Sequence, residues 1–206
     1  MEIILINGQQ WLEMNTKRRH NVLNGIEKEI KIILDEKQYL EVMNSFQFSE
    51  SFEQINYYYA NREIIENNIT IRIREKLGQM KLQLKIPQKT DKALHINKEY
   101  EKKVNRVLQH ISKEEIYELS GLHCSNDVKL LGSLKTIRCI CNTFPTVKIA
   151  LDKSFYFNNI DYEIEIEYVD ELSIDIVDRL KMLDLHLDKD VNGKNKRFLS
   201  AYKKYN

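Results

Sequence analysis

Four rows of the sequence carry ionisable residues two positions apart. Glu163, Glu165 and Glu167 alternate with Tyr162, Ile164, Ile166 and Tyr168 in "DYEIEIEY". Arg72 and Arg74 alternate with Ile71 and Ile73 in "ITIRIRE", and Lys81, Gln83 and Lys85 with Leu82, Leu84 and Ile86 in "MKLQLKIP". The fourth row, Glu27, Glu29 and Lys31 in "GIEKEIKIIL", carries both signs. In a β-strand, residues two apart share a face at a spacing of about 6.6–6.8 Å. Carboxylates without His or Cys are the donor set of hard cations such as Mg²⁺ or Mn²⁺, and rows of Arg and Lys are the donor set for phosphate oxygens. A cavity lined by both suits a metal-chelated polyphosphate. A half-solvated sheet also alternates apolar and polar, but like charges along one face repel, so a solvated face would favour mixed signs or Thr.

Such rows need strands to hold them and helices to cover their aliphatic backs. "INYYYA" is aromatic and strand-like, and the two alternating segments around Gly78 read as a hairpin. "HINKEYEKKV" places Glu99 and Glu101 together, while "GSLKTIRCICN", "FPTVKIALD" and "DYEIEIEYVD" alternate again. Asp35 is a helix N-cap with Gln38 at the capping-box position, followed by Tyr39, Leu40, Met43 and Phe46 at helical spacing. Residues 104–122 read as a helix with a second capping box, Ser112 to Glu115, at an internal break. Residues 174–187 read as an amphipathic helix, and Gly193 introduces a short basic tail. Residues 25–34 are ambiguous alone, because Ile26, Ile30, Ile33 and Leu34 form a helical stripe and Glu27 to Lys31 an i,i+4 ion pair. About eight strands and two or three long helices, with no βαβ alternation, predict an α+β fold, a mostly antiparallel barrel, its charged rows either lining a lumen under helices packed outside or forming a solvated face.

At 206 residues the chain is one domain with at most a small appendage. Residues 1–24, with the single Trp and the run "NTKRRHNVLNG", read as an N-terminal extension ahead of a domain at 25–206. Thirty-two Lys and Arg against 31 Asp and Glu leave a net charge of +1, which offers no electrostatic footprint for nucleic acid or an anionic membrane. No apolar run approaches the ~20 residues of a membrane helix, and "IILI" is shorter than the core of a secretion signal. The protein is therefore expected in the cytoplasm. Cys124, Cys139 and Cys141 lack metal or redox spacing, and the last two share the face of Ile137 opposite Arg138, as small core residues would. The five His are scattered, so a His metal site is not expected.

In order along residues 26–198, the Glu27-x-Glu29-x-Lys31 pattern, "IRIRE", "LQLKIP", "EYE", "GSLKTIR", "ALDKSFYFNNIDYEIEIE" and "KNKRF" resemble the CYTH superfamily, the triphosphate tunnel metalloenzymes. The "LDKSFYF…DYEIEIE" block is most similar to the bacterial YjbK-like branch. The resemblance implies an antiparallel eight-stranded β-barrel with a charged lumen, a tunnel that binds a triphosphate, and helices packed outside; residues 26–34 are its first strand, with Glu27, Glu29 and Lys31 facing the tunnel and Ile30, Ile32 and Leu34 packed outside. It implies phosphate ligands at Lys31, Arg72, Arg74, Lys85 and Arg138, with Lys148 a further candidate and Lys194, or Lys196 in its place, another. It implies acidic positions at Glu27, Glu29, Glu99, Glu101, Asp152, Glu163 and Glu165, the last two being the best metal ligands, with Glu167 near the tunnel mouth. The catalytic set becomes Glu27, Glu29, Lys31, Lys85 and Glu165. One departure is Ala60, where the family often has an aspartate; a supporting position fits it better than an indispensable ligand.

The implied chemistry is hydrolysis of a terminal phosphoanhydride with Mg²⁺ or Mn²⁺, by direct in-line attack, since no nucleophilic Ser or Cys stands out. Two other readings stay open: class IV adenylate cyclase chemistry, which makes cyclic AMP from ATP in a similar tunnel, and a module that binds nucleotide or polyphosphate without turnover. The partner expected in each case is a small molecule containing a triphosphate, and a homodimer is left open.

Overall fold

The computed structural model describes residues 26–205 apart from 145, 170 and 188, and the side chains of residues 26, 27 and 90 are not described either. The proposed extension at 1–24 lies outside the described residues. Nine strands form one antiparallel sheet: β1 (Ile26–Leu34), β2 (Glu50–Ala60), β3 (Thr70–Lys76), β4 (Gln79–Asp91), β5 (Leu94–Val104), β6 (His110–Ile111), β7 (Val128–Cys141), β8 (Val147–Tyr156) and β9 (Asn159–Tyr168). Their order is β2-β3-β4-β5-β1-β9-β8-β7-β6, and a further pairing of β2 with β7 closes eight of them into a barrel. The two-residue strand β6 is an addition on the edge of β7.

The alternation in the sequence becomes the wall of this barrel with the aliphatic side outward. Ile30, Ile32, Leu34, Ile149, Leu151, Ile164 and Ile166 pack with Cys139 and Cys141 against Val42 and Phe46 of helix α1 (Glu36–Ser45) and its neighbour, and against Ile176 and Leu180 of α4 (Ile174–Met182). On the far side Ile71, Ile73, Leu82 and Leu84 pack against Ile64 of α2 (Arg62–Glu66) and Ile116 of α3 (Lys113–Ser120). The β3–β4 hairpin turns at Leu77 and Gly78, both with positive φ, the conformation that matches the twist of the flanking strands. Helix α1 starts at the expected capping box: Asp35 accepts from the Gln38 N–H, and the Gln38 side chain accepts from the Asp35 N–H.

Three expectations need correction. Residues 104–122 are not one helix; only Lys113–Ser120 are helical, capped by Ser112 and ended by Gly121 in the left-handed region. Before it, β5 ends at Val104 and His110–Ile111 form β6; between them the Tyr59 hydroxyl pins residue 108, donating to the Leu108 carbonyl at 2.7 Å and accepting from the Leu108 N–H. The third helix of the sequence reading, at 174–187, stops at Met182, after which Asp184 takes a positive φ and Leu185 turns into the core. The basic tail is helix α5 (Lys194–Tyr205), whose Phe198 and Ala201 are buried. Five helices are thus described where two or three were expected. Among the described residues no helix is long and apolar enough to cross a membrane.

Helix α5 closes one part of the barrel. Phe198 is fully buried, 4.8 Å from the Tyr58 ring, in a cluster with Leu134 and Tyr156. It lies against Gly132, where an added Cβ would stand 3.3 Å from the ring and where φ is +149°. The strand bends there, at the register shift between β2 and β7.

Candidate phosphate and metal site

A cavity of about 1180 Å³ lies within the barrel, lined by residues of its strands and of α5. Most residues singled out in the sequence reach its wall: Glu29 and Lys31 from β1, Arg72 and Arg74 from β3, Lys85 from β4, Glu99 and Glu101 from β5, and Arg138 from β7. Lys148 from β8, Glu165 and Glu167 from β9, and Lys194 and Lys196 from α5 complete the set. Asp152 and Glu163 sit just behind the wall, 0% and 1% exposed. The backbone of Glu27 pairs with Asn97, but its side chain lies outside the described residues. Ala60 is buried in the apolar cluster of Ile64 and Ile69 and does not line the cavity.

On the wall made by β7, β8, β9 and α5, antiparallel pairing sets Arg138 opposite Asp152, and Asp152 opposite Glu163. Arg138 donates to both Asp152 oxygens, at 2.7 and 2.6 Å, and to Glu165 Oε2. The Lys194 ammonium reaches all three carboxylates: Asp152 and Glu165 at 2.8 Å, and Glu163. Arg197, unassigned in the sequence reading, bonds Glu163 at 2.7 Å and Asp161 at 2.6 Å. Lys31 extends the network from Glu165, at 3.5 Å, to Glu29, at 2.5 Å, and Asn97 donates to the same Glu29 oxygen at 3.3 Å. Burial alone would raise Glu165, but Arg138, Lys194 and Lys31 outweigh it and hold that carboxyl well below the usual range. Asp152 is lowered in the same way, by Arg138 and Lys194 against burial. Burial pushes Glu163 up, and Lys194 and Arg197 only partly offset it. Lys194 would be lowered by burial, yet the three carboxylates hold it above its ordinary value.

The wall made by β2, β3 and β4 is different. Arg72 donates through Nε to Gln83 Oε1 at 3.0 Å, and Arg74 to Asn56 Oδ1 at 2.8 Å. Among the described residues neither guanidinium has an ion pair with a carboxylate. Burial, then the neighbouring Arg72 and Arg138, push Arg74 down to about 9. A guanidinium answers such crowding by taking up an anion rather than by giving up its proton. Nearby acids are otherwise engaged: Glu101 by Lys81 at 2.5 Å and Gln83 at 2.9 Å, Glu99 by Lys85, and Glu167 by Lys148 at 2.7 Å.

Asp152, Glu163 and Glu165 are also the one group, among the described residues, with the composition and spacing of a metal site: an oxygen from each lies within 4.8 Å of the others. An all-carboxylate set matches a hard divalent cation. All six of its oxygens already meet Lys or Arg donors, so a metal there shares or displaces the Lys194 ammonium.

Sequence reasoning missed Arg197 and the polar side chains Gln54, Asn56 and Tyr58 on the inner face of β2. Arg197 follows Lys194 by one helical turn, a spacing that signals a shared face once the tail is known to be helical. On β2 the period of two was present, but three consecutive tyrosines hid it.

The match to known proteins follows this architecture. HpAC1 from Hippeastrum, named for an adenylyl cyclase and described with a dominant triphosphatase activity, superposes with a TM-score of 0.65 at 17% identity, covering 85% of this chain and 96% of its own. A protein from Bacillus halodurans, named for an adenylate cyclase, gives 0.62 at 21% identity, covering 84% and 98%. PH1819 from Pyrococcus horikoshii gives 0.57 at 20%, covering 85% and 99%. At these identities the likeness is one of fold, and no curated protein matches the sequence. The family model described as the CYTH domain matches residues 25–188, so the chain belongs to the CYTH family.

Proposed function

We propose that the chain is a metal-dependent triphosphatase that binds a triphosphate in the barrel cavity and hydrolyses its terminal phosphoanhydride. The observation that carries this reading is the pair Arg72, buried, and Arg74, half-buried, which lie in the cavity wall with Arg138 and have, among the described residues, only neutral amides as hydrogen-bond acceptors. A dense anion relieves that crowding, and Lys31 and Lys85 line the same cavity. The triphosphatase activity in the description of HpAC1 points the same way.

In this reading Lys31, Arg72, Arg74, Lys85 and Arg138 hold the non-bridging oxygens and offset charge as it moves to the leaving group. Lys148, at the Glu167 end of the cavity, and Lys194 belong to the same basic set. The acidic set is Glu27, Glu29, Glu99, Glu101, Asp152, Glu163 and Glu165, and Asp152, Glu163 and Glu165 would hold the metal. Bound there, Mg²⁺ or Mn²⁺ supplies Lewis acidity and neutralises phosphate charge. Both contacts of Glu29 fall on Oε1, which leaves Oε2 to take a proton from the attacking water. The water oxygen bonds to the terminal phosphorus as the bridging P–O bond breaks, and the rest of the chain departs with that oxygen.

Incubation of the protein with tripolyphosphate or ATP and Mg²⁺ or Mn²⁺, resolved by ion chromatography, tests the proposal. Orthophosphate release is the expected result. Pyrophosphate with cyclic AMP from ATP would replace it with the cyclase reading, and tight binding without product would replace it with a binding module.

A further inference from the structure

Strand β2 presents Gln54, Asn56 and Tyr58 at alternate positions on its inner face, 2%, 0% and 1% exposed. Each keeps a buried polar atom without a hydrogen-bond partner among the described residues: Gln54 Nε2, Asn56 Nδ2 and the Tyr58 hydroxyl. For Asn56 the orientation is fixed by chemistry, because Arg74 Nε can only donate, so Oδ1 must face it and Nδ2 is left over. Gln54 and Tyr58 both line the cavity. Register sets Asn56 opposite Arg74 and Tyr58 opposite Arg72, so the three donors run beside the two arginines that have no carboxylate ion pair among the described residues. Buried donors are normally paired, and a row of three on one strand is an exception that asks for an acceptor.

We propose that Gln54 and Tyr58 are ligand contacts, neutral donors that bind oxygens along the phosphate chain, and that Asn56 is a positioning residue that holds Arg74 in line between them. This rests on the reading of the cavity as a triphosphate site and adds what β2 does in it. Two arguments favour neutral donors here. Arg74 is already crowded by Arg72 and Arg138, so another cation would add repulsion, whereas an amide or hydroxyl adds a hydrogen bond without charge. The row is also long: four residues of strand span about 13 Å, so its donors follow an extended chain of acceptors instead of clasping one phosphate. A phosphate chain, all of whose exposed oxygens accept, matches that row.

Equilibrium binding of inorganic tripolyphosphate and of pyrophosphate to the full chain, by calorimetry with EDTA present, tests this with Tyr58→Phe and Gln54→Met. Each variant is expected to bind tripolyphosphate about 10- to 100-fold more weakly, in line with a lost hydrogen bond to a charged group, and to lose less on pyrophosphate, which reaches only part of the row. Neither should melt earlier than the parent without ligand, because the atoms removed have no partner among the described residues; a purely structural role would lower the melting temperature and leave affinity unchanged. If the parent protein binds tripolyphosphate and both variants match it, the β2 donors serve bound water only and the inference is overturned. If the parent binds no tripolyphosphate, the reading of the cavity itself fails.

Discussion

On the β7–β8–β9–α5 wall of the barrel, three buried carboxylates meet Arg138, Lys194 and Arg197 so completely that each of their oxygens has a cationic donor. On the β2–β3–β4 wall, a buried and a half-buried guanidinium meet amides, and three donors beside them meet no partner among the described residues. The first wall is answered within the fold and the second is not. Buried charge is tolerated only when paired, so the answered wall should govern stability and the unanswered one should govern binding.

Removing the shared cation from the answered wall should have the largest effect. Lys194→Met leaves Asp152, Glu163 and Glu165 facing one another, and a loss of about 3–5 kcal/mol in unfolding free energy is expected from breaking a buried pair; an unchanged denaturant midpoint would erase the distinction between the walls. On the other wall, Arg72→Met or Arg74→Met should lower kcat/KM for tripolyphosphate about 100- to 1000-fold, or about 2.7–4 kcal/mol. Stability should hold or rise in those variants, because each removes a charge that the fold leaves uncompensated. Loss of stability with activity intact would show that the arginines are structural.

Acid sharpens the comparison further. Asp152 and Glu165 have native values depressed below their unfolded ones, so the stability they contribute is complete above the unfolded value and is lost as pH falls through the native one. Melting temperature should therefore decline below about pH 4.5. In Glu165→Gln that decline should be shallower, and a parallel decline in both proteins would assign it elsewhere. The smallest effect should come from outside both walls. Asp35→Ala removes the cap of α1 and should cost about 1 kcal/mol of stability with no change in tripolyphosphate affinity measured by calorimetry.

Much of this contrast was legible in the sequence, for a physical reason. Strand alternation repeats every two residues, so the rows Arg72–Arg74 and Glu163–Glu165 had to share faces once they were strands, and Ile164 and Ile166 had to pack behind. Which charges answer one another was not legible, because it depends on register between strands distant in sequence: Arg138 finds Asp152 and Glu165 only when β7, β8 and β9 are aligned. Lys194 looked like part of a basic tail because lysines dominate "KNKRFLSAYKK", and only Phe198, seated against Gly132, explains why that segment folds inward. Residues 104–122 misled through helical spacing in a segment that holds the end of β5, a residue 108 pinned by Tyr59, and β6 ahead of a short helix.

The closure of the barrel bears on how the protein folds in time. Strand β1 is paired with β9, and contacts across this seam, such as Tyr162 to Glu36, join residues 126 apart. A chain must spend the entropy of closing so long a loop before such contacts reward it, which places barrels of this kind among the slower folders. Until the seam shuts, Lys31 and Glu165 have not met, and β1 and β9 are open edges on which a second chain can pair. The interval before closure is thus when the cavity is incomplete and the chain is most exposed to aggregation.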